Sequence, residues 1–112
     1  MEISVRRVSE IQIIQIRGTV RLGPAVDGFR QAMDDALAAG DTRLIVNFAE
    51  VPMIDSSGIG ILVKAMAAAK QRGGSVKLLN PSKFVVQTLK LIGVLNLFEI
   101  FQDEESAIQS FT

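Results

Sequence analysis

The sequence predicts an α/β domain: an N-terminal β-hairpin, then alternating strands and helices, giving a mixed sheet packed against about four helices. Three observations predict it. Apolar residues alternate with polar ones through residues 2–17, the period of half-buried strands. From Pro24 onward, stretches with apolar residues at helical spacing are separated by short apolar runs, the pattern of helices crossing between buried strands. Turn residues punctuate these segments at Gly40, Gly73-Gly74, Asn80-Pro81 and Gly93. The 112 residues suit a single domain, residues 1–112. A chain of this size buries roughly 65% of its unfolded surface, enough for one core.

The elements follow in order. Ile3, Val5 and Val8 mark an edge strand over residues 2–8, and Ser9-Glu10 a tight turn. Ile11, Ile13 or Ile14, and Ile16 mark the second strand of the hairpin, ending at Gly18. Thr19 to Gly23 is irregular. Pro24 suits the first turn of a helix, where its missing N–H costs nothing; Val26, Phe29, Met33, Ala36 and Leu37 line its inner face, and Gly40 ends it. Leu44-Ile45-Val46 does not alternate, so residues 43–48 read as a central strand. Residues 59–72 form the next helix, with Ile59, Leu62, Val63 and Met66 inward and Ile61 and Ala68 on the opposite side. Ser75 to Leu79 is a short buried strand. Asn80-Pro81-Ser82 opens a helix with Phe84, Val85, Thr88, Leu89 and Ile92 inward, and Leu97 to Phe101 forms the last strand. Asp103-Glu104-Glu105 places acids where a C-terminal helix begins, with Ala107, Ile108 and Phe111 facing in. Met33, Met53 and Met66 are read as core. No repeat, linker or low-complexity segment is evident.

Composition excludes much chemistry. Twelve acidic residues balance twelve basic ones, so no excess positive charge suggests nucleic acid or an anionic membrane. There is no cysteine, hence no disulfide or thiolate chemistry. There is no histidine, which removes the usual general base, the Ser-His-Asp relay and the commonest transition-metal ligand. The N-terminus lacks a signal-peptide pattern, and the longest apolar stretch, Ile59 to Ala69, is interrupted by Lys64 and too short to span a bilayer. A cytoplasmic protein without membrane insertion is expected. Asp55 as a metal ligand lacks companions, because the other acid clusters read as exposed helix acids. Gly58-Ile59-Gly60 is incomplete as a dinucleotide fingerprint, and Gly73-Gly74 lacks the lysine of a phosphate-binding loop. No cofactor is expected.

The informative stretch is Ile54-Asp55-Ser56-Ser57-Gly58-Ile59-Gly60, a strand–turn–helix junction with small polar groups where helix N–H groups lack internal partners. Ser56 or Ser57 is expected as the N-cap of the following helix. A phosphate on such a serine would meet free N–H groups and the positive end of the helix dipole, worth about 0.3–2 kcal/mol. Gly58 and Gly60 so close together indicate either close approach of another group or tight local geometry. A serine nucleophile would need a base, and nothing in the sequence places Lys64 or Lys83 beside Ser56.

These residues resemble the signature of the STAS domain, as found in bacterial anti-sigma factor antagonists. The resemblance extends through the strand at Leu44 to Phe48, the Gly73-Gly74 stop, Asn80-Pro81-Ser82, Leu91-Ile92-Gly93-Val94, Leu97 to Phe101 and Glu104-Glu105-Ser106-Ala107. It implies a binding protein, not an enzyme. The unphosphorylated form would bind an anti-sigma factor that is itself a serine kinase, freeing a sigma factor. That kinase would phosphorylate Ser56 and abolish binding, and a PP2C-type phosphatase would restore it. Asp55, Ser57, Gly58, Gly60, Ile61, Lys64 and Arg21 are the expected partner-binding residues around Ser56. The same module could instead serve as a constitutive subunit of a lipid transporter or signalling scaffold, or bind a nucleotide. The sequence departs from the family pattern after Gly18: an acid is common there, whereas an ungapped alignment places Arg21 in Thr19-Val20-Arg21-Leu22-Gly23-Pro24. This loop is expected near Ser56 and bears on partner choice.

Overall fold

The computed structural model describes residues 2–111. Strands β1 (Glu2–Val8) and β2 (Ile11–Arg17) form the antiparallel hairpin, turned at Ser9 with φ of 57°. Helix α1 (Pro24–Ala38) leads to β3 (Arg43–Glu50), α2 (Ser56–Gln71), β4 (Ser75–Leu79) and α3 (Lys83–Ile92). A single 3₁₀ turn at Leu95–Leu97 precedes β5 (Ile100–Phe101) and α4 (Glu104–Gln109). The sheet order is β1-β2-β3-β4-β5, antiparallel at the hairpin and parallel at the other three pairings.

The pleat explains why β3 reads as an unbroken apolar run and why β2 offers both Ile13 and Ile14. Ile14, Ile16, Leu44, Val46, Phe48, Val76 and Leu78 face one side and share a core with α1, α2 and α3. Ile11, Ile13, Ile45 and Leu79 face the other, where Ala107 of α4 and the flanking Ile108 and Phe111 cover them. Both Ile13 and Ile14 are therefore buried, on opposite faces. Phe29 and Phe48 meet edge to face at the centre of the larger core, ring centroids 6.5 Å apart. Gly74 permits β4 to start against β3: a Cβ there would lie 1.9 Å from the Thr42 carbonyl oxygen.

Among the described residues two charged side chains are buried, Asp41 and Lys77. Asp41 accepts from Arg7, at 2.8 Å, and from Gln12, closing the end of the sheet where β3 begins. Lys77 lies on the smaller-core face. Its ammonium donates to the Ser110 carbonyl and hydroxyl, at 3.1 and 2.7 Å, pairs with Glu99 at 2.9 Å and sits 4.2 Å from the Phe111 ring centroid. This lysine ties α4 to the sheet.

Several expectations are corrected. The last strand is not Leu97 to Phe101: Leu95–Leu97 turns back in 3₁₀ geometry and only Ile100 and Phe101 pair with β4. On α3, Val85 and Leu89 alone are fully buried, while Phe84 and Ile92 are exposed. Six apolar residues in ten cannot all reach a core contacted along one narrow stripe. Met53 is exposed too: in the extended segment between β3 and α2 it is the neighbouring Ile54 that turns into the core, which leaves Met53 on the outer side.

Candidate functional site

The candidate site is the connection from β3 to α2. Its backbone is held by the loop that follows β2. Val20 and Ile54 form an isolated parallel bridge: Val20 N–H donates to the Met53 carbonyl at 3.0 Å, and Asp55 N–H donates to the Val20 carbonyl at 2.9 Å. Both side chains, Val20 and Ile54, are buried. The Thr19–Pro24 loop therefore lies beside the junction, as expected, and carries Arg21 there.

Asp55 ends the extended segment with ψ of 179° and caps α2. Its Oδ1 accepts from the Gly58 N–H at 3.1 Å and from the Ser57 hydroxyl; its Oδ2 accepts from the Leu22 N–H at 2.9 Å. The cap is thus Asp55, not Ser56 or Ser57, and α2 starts at Ser56, earlier than Ile59. The physical reason is reach. A carboxylate has two oxygens and joins the helix to the neighbouring loop, whereas a hydroxyl has one oxygen and satisfies one side only. The Ser57 hydroxyl holds the Asp55 carboxyl below the usual carboxylate range, helped by the N–H groups of Leu22, Gly58 and Ser57 and opposed by partial burial.

The two serines are now distinct. Ser57 is half-buried and its hydroxyl is spent on Asp55. Ser56 is exposed at the first position of α2, and its hydroxyl makes no hydrogen bond to any described residue. No base is bonded to it, and neither Lys64 nor Lys83 makes a hydrogen bond with it.

The glycines separate likewise. Gly58 is buried; a Cβ there would lie 2.7 Å from Ile54 Cγ1 and 2.8 Å from Val20 Cγ1. What approaches its backbone is the chain itself, so Gly58 lets α2 sit on the bridge. Gly60 is exposed with open space beside it. Ile61 was expected on a free face but is half-buried against the main core. With Lys64, Ala68 and the α1 residues Arg30, Asp34 and Leu37 it lines a shallow cleft of about 230 Å³ between the two helices.

Sequence reasoning missed three apolar side chains on segments tied to this junction. Leu22 is 77% exposed, Met53 54% and Phe84 64%. Leu22 follows Arg21 in the loop. Phe84 opens α3, whose capping Ser82 donates to the Pro52 carbonyl at 3.1 Å. Periodicity placed Phe84 inside, and no sequence signal marks Met53 as exposed.

The fold and the junction define a class: a small α/β domain with a mixed sheet that presents, at a helix start, a serine hydroxyl free of hydrogen bonds to the described residues. The chain belongs to the STAS domain family, which matches residues 2–107. Among curated proteins, an anti-sigma-B factor antagonist of Bacillus subtilis (strain 168) is 29% identical over 73 residues, covering 65% of this chain and 67% of that protein. Among solved structures, the anti-sigma factor antagonist SpoIIAA in its unphosphorylated form superposes with a TM-score of 0.83 at 27% identity, covering 97% of this chain and 95% of that one. The Bacillus cell fate determinant SpoIIAA in its phosphorylated form gives 0.78 at 27% identity, covering 99% and 100%. No helix among the described residues is long and apolar enough to cross a membrane.

Proposed function

We propose that this domain is an anti-sigma factor antagonist switched at Ser56. Unphosphorylated, it binds an anti-sigma factor that is itself a serine kinase; the kinase phosphorylates Ser56, the complex no longer forms, and a PP2C-type phosphatase resets the protein. The domain is a regulator and a substrate, not a catalyst. One observation carries the choice of residue: of two adjacent serines, Ser56 alone is exposed with an uncommitted hydroxyl. The names of the relatives support the role, and SpoIIAA is known in both phosphorylated and unphosphorylated forms.

The partner would bind around Ser56, over Asp55, Gly60, Lys64 and Arg21, with Leu22, Met53 and Phe84 supplying apolar area. Ser57 contributes through Asp55, and Ile61 through the shape of the α1–α2 cleft. A phosphate adds about −1.5 to −2 charges at neutral pH. Placed beside the Asp55 carboxylate inside a close-fitting interface, it would cost several kcal/mol. Each 1.4 kcal/mol is about tenfold in affinity, so the switch needs no refolding.

The test is binding to the cognate kinase by calorimetry. Ser56→Ala is expected to bind like the wild type, and Ser56→Asp at least about tenfold more weakly. Equal binding by the two variants would overturn the assignment.

A further inference from the structure

We propose that Arg21 is the intramolecular partner of a phosphate on Ser56, so that phosphorylation also withdraws this cation from the partner-facing surface. The inference rests on the reading of Ser56 as phosphoacceptor. Every other arginine among the described residues is already engaged: Arg6 with Glu104, Arg7 with Asp41, Arg17 with Glu50, Arg30 with Asp27, Arg43 with Glu10 and Arg72 with the Leu37 carbonyl. Arg21 makes no ion pair or side-chain hydrogen bond with any described residue and is exposed.

Its position is fixed from both sides. The residue before it, Val20, accepts from the Asp55 N–H at 2.9 Å, and the residue after it, Leu22, donates to Asp55 Oδ2 at 2.9 Å. The Arg21 carbonyl accepts from the Val26 N–H at 3.2 Å, pinning the loop to α1. Val20 and Ile54 are bridged as neighbouring parallel strands, a backbone separation of about 5 Å. Arg21 therefore starts within side-chain reach of Ser56 on a loop that has little freedom left to lose. A guanidinium offers two parallel N–H groups that match two phosphate oxygens.

The surroundings favour a phosphate over the existing carboxylates as its partner. Of the carboxylates at this end, Glu50 is paired with Arg17 at 2.6 Å, and the oxygens of Asp55 already accept from Leu22, Ser57 and Gly58. The neighbouring cation, Lys83, belongs to the α3 start that reaches the junction through Ser82 and Pro52. In the unmodified protein Arg21 is free to meet a carboxylate of a partner. In the phosphoprotein the covalently attached dianion takes its place at far higher effective concentration.

Phosphoserine installed genetically at position 56, followed by phosphorus NMR titration, tests this. The phosphate's second ionisation is expected lowest in the wild type, slightly higher in Arg21→Lys, about half a pH unit higher in Arg21→Ala and higher again in Arg21→Glu. The differences should collapse in about 1 M salt. An unchanged titration across the series would overturn the pairing. So would an equal shift from Lys83→Ala, since general charge at this end would then suffice. Circular dichroism checks that each variant is folded. No kinase is needed, so this result is independent of whether cells modify Ser56. That question is answered separately by the intact mass of the native protein.

Discussion

The end of the sheet where β3 begins and the end where it hands over to α2 are built on opposite terms. At the first, Asp41 is buried between Arg7 and Gln12, and Arg43 pairs with Glu10 at 3.3 Å. At the second, Arg17 pairs with Glu50 at 2.6 Å where β3 ends and the backbone is held as firmly, but Arg21, the Ser56 hydroxyl and the apolar side chains of Leu22, Met53 and Phe84 are left to solvent. The difference teaches that exposure here is not looseness. The bridge between Val20 and Ile54 and the cap at Asp55 fix the frame, and only the groups that another molecule could use are uncommitted.

The contrast can be broken most severely at the frame itself. Gly58→Val forces carbon into Ile54 and Val20 and should cost about 3 kcal/mol in urea unfolding, the upper range for overpacking a buried site. Asp41→Ala, at the closed end, should cost about 1.5–3 kcal/mol by removing charge-assisted hydrogen bonds, with binding at the Ser56 end unchanged. Asp55→Ala should cost about 0.5–2 kcal/mol at neutral pH through loss of the cap. The carboxyl is held low in the folded state. Its stabilisation is therefore fully present above the unfolded-state pKa and lost as pH falls through the folded one. The gap between wild type and Asp55→Ala should narrow on acidification; a pH-independent gap would mean that the carboxylate's charge contributes nothing. The smallest effect is Ser56→Ala, within about 0.5 kcal/mol, because its hydroxyl holds nothing in place. A larger loss would mean that Ser56 belongs to the frame.

Much of this was legible in the sequence. Periodicity located the hairpin, α1 and α3, each of which buries a stripe or a face, and unbroken apolar runs located β3 and β4, which are buried on both faces. The position of the junction was legible from its small polar residues. Which of those residues caps the helix was not, since Asp55 serves a second donor, Leu22, from a loop 33 residues away. The choice between Ser56 and Ser57 was equally hidden in that one carboxylate's geometry, and only the resemblance to a known signature separated them beforehand. Phe84 and Met53 were misplaced for a related reason. A lone apolar residue at the right spacing looks like core whether or not a neighbour exists to cover it.

In the sheet, strand order follows chain order from β1 to β5, so every strand lies beside the one made just before it. After the hairpin each connection is a single crossover, the longest running from Arg17 to Arg43, and no strand must wait for a more distant segment of chain. During synthesis each strand meets its neighbour already in place, and β5, with two paired residues, adds only a small final edge. A protein assembled in this order spends little time with open edges, and its folding rate should be high for a parallel sheet.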